Sequence, residues 1–211
     1  MLYELRTYTL RAGSQPIVAK NSGEVGRDIR GDNYGRLEGY WMTEIGPLNQ
    51  VMHLWSYESF DERIRLRTEL GKNRRWREEY LPLIRPHLLR QDIRLLECVR
   101  PLQSVSDTGN IYEYRNYRTQ PGKAREWANL ITEAMPVRER HSKNIGVFIT
   151  EAGQPNEVSH LWVYKDLNDR MQCRAAANAD PDWRAFLKQS GPMLDEMHST
   201  ILVPAAHSPL R

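Results

Sequence analysis

Four residue positions recur in a pattern that could do chemistry: Arg6, Tyr8, His53 and Tyr57, and again Arg115, Tyr117, His160 and Tyr164. Histidine titrates closest to neutrality, so His53 and His160 are the candidate catalytic residues, exchanging a proton near pH 7. Arg6 and Arg115 are the candidate holders of an anionic group, and Tyr8, Tyr57, Tyr117 and Tyr164 the aromatic ligand-binding residues beside them. The same residues admit a plainer reading. Glu4 with Arg6 and Glu113 with Arg115 would then be satisfied ion pairs, and both histidines core residues donating to a carbonyl or carboxylate. No metal site is expected: Glu44 and Glu151 are near in sequence, but no HxH or HExxH spacing exists. No cofactor is expected either, since GxGxxG, P-loop and nucleophile-elbow sequences are all missing.

The stretch that carries each histidine occurs twice. Gly39 to Tyr57 reads GYWMTEIGPLNQVMHLWSY, and Gly146 to Tyr164 reads GVFITEAGQPNEVSHLWVY; a constant shift of 107 aligns them without a gap, with 10 of 19 positions identical. Each copy reads as two strands around a turn, Gly46-Pro47-Leu48-Asn49 and Gly153-Gln154-Pro155-Asn156. On the second of these strands, alternation puts Val51, His53, Trp55 and Tyr57 on one face, and Val158, His160, Trp162 and Tyr164 likewise.

The flanking segments repeat as well. Tyr3 to Leu10 returns as Ile111 to Arg118, keeping Tyr-Glu-x-Arg-x-Tyr and placing Glu4, Arg6 and Tyr8 on one face. A helix follows, clearest where Ala124, Trp127, Leu130, Ile131 and Ala134 recur at spacings of three and four. Its first-half counterpart contains Gly23, Gly26, Gly31 and Gly35. At up to about 1 kcal/mol per interior glycine, that helix is expected to be shorter or more mobile than its twin and to offer the entrance to a site. After the hairpin, Ser59-Phe60-Asp61-Glu62, and Asp166 with Asp169, start a second helix. A third follows Asn73 or Asp180-Pro181, carrying Trp76 and Trp183 as anchors with Arg77 and Arg184 exposed, and strands over 93–99 and 199–203 close each half.

Each half is therefore β-α-β-β-α-β, with residues 1–100 and 111–211 as the repeats and the polar stretch 101–110 as linker. Such a half makes a four-stranded sheet with helices on one face, and its bare face would be buried against the other copy, as an α+β barrel. If the histidine faces point between the sheets, the barrel holds a polar cavity.

Net charge +3 and 27% charged residues, with no basic run interleaved with aromatics, argue against nucleic-acid binding. Cys98 and Cys173 are expected to be unrelated reduced thiols. No apolar run approaches the roughly 18 residues of a membrane span, so the expected setting is the cytoplasm without membrane insertion, and the expected assembly a homodimer.

Tyr-Glu-Leu-Arg-x-Tyr, then Gly-x-Trp-x-Thr-Glu-x-Gly-x-x-Asn, then His-Leu-Trp-x-Tyr, then a helix with Trp76-Arg77, resembles the NIPSNAP family of the dimeric α/β-barrel superfamily, over essentially both halves. The resemblance implies a ferredoxin-like fold for each half, paired as a barrel. That superfamily includes cofactor-free monooxygenases, haem-binding enzymes, isomerases and ligand-binding regulators, and fold does not choose among them. The expectation is a barrel that binds a small aromatic or anionic molecule, with monooxygenase- or isomerase-type chemistry. The competing expectation is a filled barrel whose outer helices bind other proteins.

Overall fold

The computed structural model describes residues 1–211. In the first half the hairpin is β2 (Arg36–Ile45) and β3 (Gln50–Tyr57), with β1 (Leu2–Leu10) antiparallel on the other side of β3. In the second half it is β6 (Asn144–Ala152) and β7 (Glu157–Tyr164), with β5 (Ile111–Thr119) against β7. The turns repeat for a local reason. Asn49 and Asn156 take left-handed φ of 54° and 58°, which asparagine tolerates, and their side-chain oxygens accept from the backbone of Gly13 and Gly122. One asparagine thereby ties the hairpin to the loop leaving the first strand of its half.

Closing strands β4 (Leu88–Arg100) and β8 (Leu194–Pro204) start well before the expected Ile93 and Ser199. The preceding helix runs through a single 3₁₀ turn, Arg85–His87 or Gly191–Met193, directly into extended chain, leaving no loop between them. Hydrogen bonding orders the strands as a closed barrel, β1-β3-β2-β8-β5-β7-β6-β4. Two compact units are present, Met1–Leu95 with Val203–Arg211, and Leu96–Leu202.

In each unit helices cover one face of the sheet. The first has α1 (Gln15–Asn21), a π-helical turn (Ser22–Gly26) and α2 (Arg27–Arg30), then α3 (Phe60–Lys72), a second π-helical turn (Trp76–Tyr80) and α4 (Leu81–Ile84). The second has α5 (Ala124–Glu133), α6 (Met135–Arg138), α7 (Leu167–Ala179) and α8 (Pro181–Ser190). Ser59 and Asp166 cap α3 and α7, accepting from the backbone of Glu62 and Asp169 at 3.1 and 2.8 Å; the Glu62 and Asp169 carboxylates in turn accept from the backbone N–H of Glu58 and Lys165, the residues just before the caps. Val18, Ala19 and Ile29 from the helices pack on Leu37, Val51 and Trp55 of the sheet; Trp127, Ala128 and Ile131 pack likewise on Val147, Val158 and Trp162.

The glycine-rich first helix is not shorter than its twin, since residues 15–30 are helical throughout. Its glycines make room for neighbours. A Cβ on Gly23 would stand 2.7 Å from the His207 ring, and one on Gly26 would stand 2.9 Å from that of Tyr80. Aromatic contact at these positions offsets the low helix propensity, and the π-helical turn sits where both rings approach. No helix is long and apolar enough to cross a membrane.

Candidate ligand-binding sites

Arg6 stands directly opposite His53 across β1 and β3, and Arg115 opposite His160 across β5 and β7. This face carries Val51 and Trp55 into the helix-packed core of its half. The polar cavity is therefore not between sheets, as the sequence suggested, but between the sheet and the helices within each half. One cavity of about 270 Å³ is lined by Arg6, Tyr8, Arg30, His53, Trp55 and Arg67, among others. A second, of about 240 Å³, is lined by Arg115, Tyr117, Arg138, His160, Trp162 and Arg174 with their neighbours. No carboxylate lines either one.

The expected anion holders already have partners. Glu4 is fully buried between Arg6 and Arg63. Burial would raise its pKa, but the Arg63 hydrogen bond and the Arg6 charge outweigh that and hold it below the ordinary value. Glu113 is likewise bound by Arg115, by Arg170 at 2.7 Å and by the Ser199 hydroxyl at 2.6 Å. Arg6 Nε donates to the Tyr8 hydroxyl at 2.7 Å, and Arg115 Nε to that of Tyr117. The ion-pair reading of Glu4, Arg6, Glu113 and Arg115 is thus the observed one, although both arginines still touch the cavities.

The buried cations with no carboxylate within ion-pair distance are Arg30 and Arg138, which the sequence did not mark out. Arg30, only 4% exposed, donates to the Tyr34 carbonyl at 2.7 Å and the Tyr57 hydroxyl at 3.0 Å, and its guanidinium lies 3.3 Å over the Trp55 ring. It has no carboxylate partner, and burial draws its pKa down to about 10 despite the Tyr57 contact. Arg138, equally buried, donates to the Ser142 hydroxyl and sits 4.7 Å from the Trp162 ring and 5.5 Å from that of Trp183. Burial lowers its pKa as well. The signal was there: Arg30 lies nine residues before Gly39 and Arg138 eight before Gly146, so a gap-free alignment set Arg30 against Val137. Tyr57 also departs from expectation. It does not line the cavity but stands behind Arg30, whereas Tyr164 lines the second cavity.

The histidines correct the proton-transfer reading. Trp55 Nε1 donates to His53 Nδ1 at 2.5 Å, and Trp162 Nε1 to His160 Nδ1 at 2.5 Å. An indole only donates, so each imidazole is neutral with its proton on Nε2. Burial, then the charges of Arg6 and Arg30 or of Arg115 and Arg138, hold both pKa values well below 6.5. Each site thus offers an N–H donor and no base near pH 7. The unfolded chain binds protons below its histidine pKa of 6.5 while the folded chain does not, so stability rises with pH there. His53→Gln should remove about 1.4 kcal/mol per pH unit from that slope between pH 6.5 and 5; urea titrations at stepped pH would show an unchanged slope if His53 instead protonates in the fold.

Two repeats with ferredoxin-like strand order and helices on one sheet face define an α+β protein of the dimeric α/β-barrel class. Among solved structures, a monooxygenase-like protein from Lactobacillus acidophilus shares this fold with a TM-score of 0.71 at 10% identity, over 97% of this chain and 94% of that one. An anthrone oxidase-like protein does so at 0.69 and 11%, over 98% and 92%. The chain belongs to the NIPSNAP family, whose model matches residues 3–101 and 112–209. It is 33% identical to the Drosophila melanogaster protein NipSnap over 175 residues, 80% of this chain but 63% of that protein's length. It is 32% identical to the Danio rerio NipSnap homolog 1 over 220 residues, 100% of this chain and 77% of that one.

Proposed function

We propose that the protein binds small planar anions, one in each half, between the sheet and its helices. The observation that carries this reading is the pair Arg30 and Arg138, buried guanidiniums stacked on tryptophan at a cavity wall with no carboxylate to neutralise them. A buried charge without a counter-ion is costly, and an anionic ligand would remove that cost. The aromatic rings of Trp55 and Trp162 offer the flat surface on which a planar ligand packs.

Binding is favoured over monooxygenase or isomerase chemistry, because His53 and His160 are N–H donors that would stabilise a ligand anion rather than take its proton. The cavities likewise favour a ligand over a filled scaffold. The test is Arg138→Met assayed with 1-naphthoate by titration calorimetry. Losing a charge-assisted hydrogen bond should weaken binding about 10- to 100-fold, while the thermal midpoint stays equal or rises, because a desolvated charge has been removed. Equal affinity of variant and parent would refute the reading.

A further inference from the structure

The two cavities share a frame but not a lining. From this difference we infer that the halves sort anions by charge, the first taking a doubly charged head group and the second a singly charged, more apolar one. The inference rests on the anion-site reading above.

Two exchanges of residue make the difference. In the first half His53 is stacked on Tyr40 of β2, with centroids 5.1 Å apart and planes 8° from parallel. Tyr40 donates to the Ser22 hydroxyl at 3.1 Å, which lies 2.9 Å from that of Tyr80. The second half has Val147 in place of Tyr40. There the imidazole is covered from the helix side by Trp127, at 5.5 Å and 34°, where the first half has Val18. This exchange leaves two neutral N–H groups, Trp127 Nε1 and His160 Nε2, buried beside the second cavity with no acceptor in the protein, as is the Tyr164 hydroxyl, whereas the groups left without a partner at the first cavity are Arg30 Nε and His207 Nε2. Buried donors are almost always satisfied, so two adjacent orphans mark the place of an acceptor.

The charged lining differs in the same sense. Arg30 and Arg85 line the first cavity without a carboxylate partner, Arg67 lies close enough to Glu4 for its charge to be felt there, and Gln91 adds an amide. The corresponding positions to Arg85 and Gln91 in the second cavity are Gly191 and Met197, beside Phe186 and Leu187. Arg174 there is 3.9 Å from Glu113, which leaves Arg138 as the cation with no carboxylate partner. Two unpartnered guanidiniums and an amide match a dianion; one guanidinium with two neutral donors matches a monoanionic carboxylate on an apolar ring.

1-Naphthyl phosphate and 1-naphthoate share one ring system and differ in head group, and at pH 8 the phosphate ester is a dianion. Calorimetry should show one strong site for each probe on the intact chain, additive when both are present. Arg85→Gly with Gln91→Met, changes at the first cavity, should weaken 1-naphthyl phosphate about tenfold and leave 1-naphthoate unchanged. Trp127→Phe should weaken 1-naphthoate about tenfold and leave the phosphate unchanged, with circular dichroism confirming the fold. If the probes compete, or both variants weaken both probes equally, the sorting is overturned while the anion sites stand. If neither probe binds the parent protein, the anion-site reading falls and the sorting with it.

Discussion

Replacing Glu113 with glutamine is expected to lower the unfolding free energy by about 3–5 kcal/mol, the range for breaking a buried ion pair from one side. The carboxylate is fully buried and binds Arg115, Arg170 and the Ser199 hydroxyl, joining β5 to α7 and β8. A neutral amide would leave two guanidiniums facing each other without a counter-charge. The pH dependence carries the same signature. Burial alone would raise the Glu113 pKa, but the Arg170 hydrogen bond, the Arg115 charge and the Ser199 hydrogen bond bring it to about 2, from an ordinary 4.5. A depressed carboxyl pKa stabilises the fold fully above pH 4.5, and the contribution is lost as pH falls toward 2. Chemical denaturation of parent and variant should therefore differ most above pH 4.5 and converge in acid. Parallel curves across that range would show that the carboxylate charge is not what holds this face together.

Gly35→Ala should have a comparable effect for a steric reason. Gly35 has φ of +97°, and a Cβ there would lie 2.7 Å from Cζ of Tyr57 and 3.0 Å from its hydroxyl. Left-handed strain of about 1 kcal/mol and overpacking of about 1–3 kcal/mol act together at this position. The Tyr57 hydroxyl accepts from Arg30, so displacing it should also loosen the guanidinium at the first cavity and leave the second untouched. Gly71→Ala, in α3 with nothing within 4 Å of the new methyl, is the matched control and should stabilise by up to about 1 kcal/mol. Denaturant midpoints and probe binding for both variants decide the matter: if Gly35→Ala is as mild as Gly71→Ala, Tyr57 is not fixed in place.

The sequence by itself determined the repeat, the element order and the pairing of residues on each strand. These follow from local rules. A period of two puts Glu4, Arg6 and Tyr8 on one face, glycine and asparagine specify the hairpin turns, and Ser59 or Asp166 starts a helix through its own side chain. The ion pairs of Glu4 and Glu113 were legible for the same reason, since their arginines stand two residues away on the same face. Tertiary structure alone decided which way those faces point. Alternation identifies two faces without saying which one the helices cover, and here the helices cover the face of His53 and His160. It also decided what the histidines are. Whether an imidazole titrates near neutrality depends on burial and on the neighbour at Nδ1, and Trp55 and Trp162 settle both. The glycines of the first helix misled for the opposite reason: propensity counts what a glycine lacks, whereas the rings of His207 and Tyr80 use the space it leaves. Arg30 and Arg138 became functional candidates only once packing placed them over tryptophan with no carboxylate beside them, because a sequence records charges but not their distances.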